Sequence, residues 1–143
     1  MATIRQIMNE RAVAVHVDDT VLKAIEALTR EHTSSLPVVD DDGAVLGMIS
    51  ELAMIDVVFE QGVRDAVVAN YMTSNVPCVE PDDSLARVAQ LFALYSFRRL
   101  PVVENGKLVG MATCRDLLNY ALRTREVLAE PLMELIPSLA PLS

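Results

Sequence analysis

The residues best equipped for chemistry fall in one stretch, Gly110-Met111-Ala112-Thr113-Cys114-Arg115-Asp116, with Arg98-Arg99 a short way upstream. Thr113 brings a hydroxyl and Asp116 a carboxylate three residues later, where an apolar run gives way to a helical one. Arg98 and Arg99 are the only adjacent basic pair in a chain with 12 Lys and Arg, 20 Asp and Glu and a net charge of −8. A guanidinium fork matches phosphate geometry. In extended backbone the two arginines point to opposite faces, so Arg99 is assigned inward and Arg98 to the rim. These groups hold a polar molecule rather than react with one. The sequence has no Gly-X-Ser-X-Gly, no P-loop, no Gly-X-Gly-X-X-Gly and no Ser or Cys with a recognisable base, so it predicts no enzyme and no catalytic residue. Asp116 also has a plain structural use, because an acidic residue at a helix start caps the helix or complements its dipole.

Other polar groups point elsewhere. His16 and His32 lack a surrounding pattern of metal ligands and read as ordinary strand and helix-end residues. Asp40-Asp41-Asp42 lacks the extended spacing and terminal Glu of a calcium loop, which leaves a solvated turn and no metal site. Cys78 and Cys114 have no metal or disulfide spacing and are expected to be buried thiols. The acidic balance argues against nucleic acid, which needs clustered basic residues, and the absence of Trp argues against a base-stacking platform. No apolar run reaches the roughly 18 residues of a membrane span, and the first residues do not form a signal peptide. The cytoplasm is the expected location, with no membrane partner.

The elements that must position these residues are written twice. Leu36-Pro37-Val38-Val39 returns as Leu100-Pro101-Val102-Val103, Asp18-Asp19-Thr20 as Asp82-Asp83-Ser84, and Met8 as Met72, all at an offset of 64; Gly43 and Gly47 return as Gly106 and Gly110 at 63. A period near 60 present only twice reads as a duplicated small domain whose halves pack together. Each copy predicts strand, helix, strand, strand, helix. Val13 to Val17 alternates as a strand; Val21, Ala24, Ile25 and Leu28 recur as Leu85, Val88, Ala89 and Phe92 at helical spacing behind the N-caps Thr20 and Ser84. Neither completes a capping box, since Lys23 and Arg87 stand where Glu or Gln would. Asp40 to Gly43 and Glu104-Asn105-Gly106 are hairpin turns, and Glu51 to Phe59 and Arg115 to Leu122 are closing helices. The expected division is 1–64 for the first repeat with its lead-in, 65–125 for the second, and 126–143 for a proline-broken extension that docks on the body or on a second subunit.

Together these features resemble the paired cystathionine-β-synthase-type domains, called CBS domains or Bateman modules, over about residues 1 to 125. The resemblance implies an α/β (α+β) fold of two β-α-β-β-α repeats related by a pseudo-twofold axis, with clefts between them that often hold AMP, ADP, ATP or S-adenosylmethionine. It implies that Asp116 accepts hydrogen bonds from ribose hydroxyls, as acidic residues do in dinucleotide folds. Thr113 and the free N–H groups at Arg115 then meet ribose or phosphate oxygens, Arg99 and Arg98 hold phosphate, and Val13, Thr33 and Ser34 of the other copy face adenine. Met111 belongs to the same segment and is read with Met8, Met48 and Met72 as adaptable core packing.

The first copy departs from this pattern. Its segment Gly47-Met48-Ile49-Ser50-Glu51-Leu52-Ala53 has alanine where Asp116 stands, and Ser34 and Ser35 replace the arginines. One competent and one degenerate site are therefore expected. Two functions remain open from sequence: a stand-alone regulatory module that binds an adenosine nucleotide, requires no cofactor and signals through homodimer geometry, or a ligand-free assembly module that holds itself or an unknown effector protein.

Overall fold

The computed structural model describes residues 2–124; the proposed extension 126–143 lies outside the described residues. The elements are β1 (Val15–His16), α1 (Val21–Glu31), β2 (Ser35–Val39), β3 (Val45–Ser50), α2 (Glu51–Val57), α3 (Leu85–Tyr95), β4 (Arg99–Glu104), β5 (Lys107–Thr113) and α4 (Cys114–Thr124), with short 3-10 turns at Ile4–Gln6, Val63–Asp65 and Val68–Asn70. In the first repeat β1 pairs in parallel with β2, and β2 pairs antiparallel with β3. The second repeat keeps the β4–β5 hairpin but reduces its first strand to a single parallel bridge, Val79 to Val102. Pro77 and Pro81 flank Val79, and neither can donate to a ladder, which accounts for the missing strand.

The duplication repeats its hydrogen bonds as well as its letters. Thr20 accepts from the N–H of Lys23 at 3.2 Å and Ser84 from that of Arg87 at 3.1 Å, so both predicted N-caps form. Asp19 accepts from the N–H of His16 at 2.9 Å and Asp83 from that of Glu80 at 2.8 Å, bracing the turn into each helix. Both helices stop on a left-handed residue, His32 (φ 52°) and Ser96 (φ 58°), so His32 is a helix-end residue. Two cores result. One gathers Val21, Ala24, Leu28, Leu36, Val38 and Ile49; the other gathers Leu85, Val88, Phe92, Leu100, Val102 and Ala112.

The lead-in segments are where packing departs from the sequence division at residue 64. The segment before β1 belongs to the second core: Ile4 is fully buried there, its N–H donates to the carbonyl of Asp83 at 3.0 Å, and Asn9 bridges Met111. Its counterpart belongs to the first core: Val68 is fully buried, its N–H donates to the carbonyl of Asp19 at 2.8 Å, and Thr73 bridges Met48. Each lead-in is thus a strap across the sheet of the opposite copy. This explains one pair of matched glycines. A Cβ on Gly110 would stand 2.8 Å from the carbonyl oxygen of Asn9, and one on Gly47 would stand 2.5 Å from that of Thr73, both inside contact distance.

Candidate functional site

The N-terminal strap, the β4–β5 hairpin and the start of α4 enclose a cleft of about 470 Å³, within the size range of small-molecule sites. It is lined by Ile7, Met8, Asn9, Arg11, Arg99, Met111, Thr113, Arg115 and Asp116. β5 delivers Met111 and Thr113, two positions apart and hence on one face, and its end leads into α4. Thr113 caps that helix, accepting from the N–H of Asp116 at 3.0 Å. The cap is therefore the threonine and not Asp116, whose half-buried carboxylate is left to face the cleft. The same junction in the first copy has Ser50 accepting from the N–H of Ala53 at 3.2 Å, a cap with no carboxylate at the position matching Asp116.

Arg99 opens β4 and borders both the cleft and an adjoining cavity of about 110 Å³, lined also by Asn9, Arg11, Val13, Glu31, Thr33 and Leu36. Its Nε is buried without a hydrogen-bond partner among the described residues. Burial pushes the guanidinium pKa down and the Asp116 charge pushes it back up; arginine stays charged at neutral pH regardless. A buried donor without an acceptor is costly unless something brings one.

Of the residues singled out from sequence, Asp116, Thr113, Arg99, Arg115 and Met111 line the cleft, and Val13 and Thr33 line the adjoining cavity. Arg98 and Ser34 line neither. Both have exposed side chains, and their carbonyls accept from the N–H groups of Cys114 at 3.0 Å and Glu51 at 2.9 Å, which ties each strand entry to its closing helix. Sequence reasoning missed Arg11 and Glu31. Arg11 donates to Glu31 at 2.7 Å, and that hydrogen bond, opposed by partial burial, holds the Glu31 carboxyl below its ordinary range. The signal was present, because the offset of 64 sets Arg11 against Asn75 and Glu31 against Tyr95.

The thiols are half-buried rather than fully buried, Cys78 and Cys114 donating to the carbonyls of Val76 and Phe97. Burial pushes both thiol pKa values up, which makes them poor nucleophiles. Among the described residues no group of three or more His, Cys, Asp or Glu side chains could hold a metal ion, and no helix is long and apolar enough to cross a membrane.

The model of the CBS domain matches this sequence twice, at residues 4–60 and 67–123. The chain belongs to the CBS-domain family. Both CBS repeats take the mixed α+β fold that this membership implies. An uncharacterised protein of Methanocaldococcus jannaschii, MJ1225, is 30% identical over 115 residues, which are 80% of this CBS pair and 41% of that protein. YlbB of Bacillus subtilis is 30% identical over 120 residues, 82% of this chain and 80% of its own length. The chain spans less than half of several of the longer relatives it matches. Among solved structures, CBSX2 of Arabidopsis thaliana in complex with AMP superposes with a TM-score of 0.79 at 28% identity, covering 88% of this chain and all of that one. The CBS domain pair of MJ0100 shares the fold at a TM-score of 0.75 and 20% identity.

Proposed function

We propose that this CBS pair is a regulatory module that binds an adenosine nucleotide in the cleft between the strap and α4 and signals through a change in the geometry of a homodimer. The observation that carries the reading is the meeting of Asp116, Thr113, Arg115 and Arg99, whose buried Nε has no partner among the described residues, in one cleft. The complex of CBSX2 with AMP supports it. In this reading the adenine enters the smaller cavity beside Val13 and Thr33, the ribose hydroxyls donate to Asp116, and the phosphate pairs with the Arg99 guanidinium. Thr113 keeps its hydroxyl hydrogen for the ligand while its oxygen caps α4. The reading assigns the protein no reaction and a cytoplasmic setting.

Signalling needs a second state that the ligand favours by its difference in affinity. The dimer reading is supported by apolar residues that recur on the closing helices. Ile55 and Phe59 of α2 and its C-terminal flank are 68% and 98% exposed, and Leu118 and Leu122 occupy the matching positions of α4 at 61% and 70%. Large exposed apolar side chains placed four apart on a helix form one stripe. The alternative, a ligand-free assembly module, uses the same stripes and leaves the cleft without a purpose.

Calorimetric titration with AMP, ADP, ATP and S-adenosylmethionine, on protein shown by mass spectrometry to be free of copurified ligand, separates the two. At least one should bind, and Asp116→Ala should weaken it by about 10- to 100-fold, the worth of hydrogen bonds to a charged group. No binding by any of the four would leave the assembly reading standing.

A further inference from the structure

Arg11 is the cation of this cleft that no motif covers, and it is held differently from the others. It sits on the loop between the N-terminal strap and β1 and borders both the cleft and the adjoining cavity. Its guanidinium makes a fork-to-fork pair with Glu31 at the end of α1, Nη1 donating to Oε1 at 2.7 Å and Nη2 to Oε2 at 3.4 Å.

Three features make that grip exchangeable. The Arg11 side chain is 72% exposed, so water screens the pair and little is lost on opening it. Glu31, only 13% exposed, keeps a second donor when Arg11 leaves, because the Nε of Arg30 lies 3.4 Å from Oε2. The Arg11 backbone N–H is tied to Oδ1 of Asn9 at 2.9 Å, so the side chain can swing while its loop stays in place. Arg99, whose buried Nε has no partner among the described residues, lines the same two cavities. Arg11, Arg99 and Arg115 thus stand against Asp116 in the cleft and Glu31 in the adjoining cavity, an excess of positive charge among the described lining residues of a protein of net charge −8. Such a local excess of positive charge is built for an anion.

Resting on the nucleotide reading above, we propose that Arg11 is a specificity-determining residue: it leaves Glu31 to join Arg99 on the ligand's phosphate. The cleft then selects phosphorylated adenosine ligands over adenosine, which has no phosphate, and over S-adenosylmethionine, which has none and carries a sulfonium cation. Glu31 acts as the holder that Arg11 must be taken from. It keeps the empty cleft from presenting three free guanidinium groups to any passing anion.

The test is calorimetric titration of the full chain with AMP, adenosine and S-adenosylmethionine, for the wild type and for Arg11→Met, Arg11→Lys and Glu31→Gln. Arg11→Met should weaken AMP about tenfold or more and leave adenosine within about twofold, since one charge-assisted contact is lost from the phosphate alone. Arg11→Lys, which keeps the charge without the fork, should fall between, and Glu31→Gln should tighten AMP by a few-fold. Thermal melts of each variant confirm that a change in affinity is not a change in folding. AMP affinity unchanged in Arg11→Met, or lost equally with that of adenosine, overturns the role of Arg11. Weaker AMP binding in Glu31→Gln overturns the exchange. Wild-type protein that binds adenosine or S-adenosylmethionine as tightly as AMP overturns the selectivity while the nucleotide reading stands. Wild-type protein that binds none of the three, and neither ADP nor ATP in the titrations above, overturns both.

Discussion

Ile4→Ala tests whether the N-terminal strap completes the second core, as the packing requires. Ile4 is fully buried and lies in the cluster formed by Val79, Leu85, Val88 and Leu100, all remote from it in sequence. The substitution removes three carbons, worth about 0.8 kcal/mol each in lost burial, and leaves a cavity that raises the total to ~3 kcal/mol. The cavity closes poorly. The backbone on both sides of Ile4 is pinned, the N–H groups of Ile4 and Arg5 donating to the carbonyls of Asp83 and Pro81 at 3.0 and 2.9 Å. For a chain of this size ~3 kcal/mol lowers the melting temperature by about 10 °C. Val68→Ala, the matching change in the strap over the first core, is the calibration: two carbons removed and about 2 kcal/mol lost. Urea unfolding followed by far-ultraviolet circular dichroism measures both. A cost below about 1 kcal/mol for Ile4→Ala, with Val68→Ala near 2, would mean that the second core closes without the strap and would refute the role of Ile4.

Gly110→Ala should destabilise by about 2 kcal/mol or more and weaken any ligand of the cleft, because the new Cβ meets the Asn9 carbonyl oxygen at 2.8 Å and lifts the strap that forms the cleft wall; Gly47→Ala should destabilise comparably and spare the cleft, and thermal melts with AMP titration distinguish them. Glu31 contributes to stability above the unfolded carboxylate range and loses that contribution as pH falls through its lowered folded value, so Glu31→Gln should flatten the acid limb of the stability profile below about pH 4; equal acid limbs in the two proteins would refute the pairing. Ile55→Asp combined with Leu118→Asp should convert a dimer into a monomer by light scattering while leaving the circular dichroism spectrum unchanged, since both side chains are exposed in the single chain.

The duplication was legible because the helix faces, N-caps and Leu-Pro-Val-Val strands are local patterns, and each recurs. Even the loss of a strand at Val79 had a local cause in Pro77 and Pro81. The exchange of straps was not legible. Met8 and Met72 showed that each lead-in exists, but nothing near either says which sheet it crosses; that choice is fixed by contacts such as Ile4 with Asp83 that are remote in sequence. Gly47 and Gly110 carried half of the information, as a matched pair whose shared reason is close approach of a carbonyl. The site was read in the same partial way. Thr113, Arg99 and Asp116 stand in the repeat's own motifs, whereas Arg11 stands in a loop whose side chain acquires a meaning only once the strap has brought it to β4.

Duplication and divergence therefore act on different parts of the molecule. The backbone contacts are reciprocal: the bridge from Thr3 to Ser84 answers that from Val67 to Thr20, and Asn9 to Met111 answers Thr73 to Met48. Neither copy can lose one without losing part of a core, which keeps the scaffold symmetric. The side chains facing the cleft carry no such obligation, and Arg99, Asp116 and Arg11 have become Ser35, Ala53 and Asn75 in the opposite copy. The cleft and its adjoining cavity together nevertheless draw on both halves, since Thr113 and Arg99 come from the second repeat, Val13, Thr33 and Glu31 from the first, and Arg11 from the loop between strap and sheet. A molecule spanning the cleft and the adjoining cavity would touch all three. Its binding energy would then depend on how the two repeats sit against each other, which is the physical condition for a ligand to bias that arrangement.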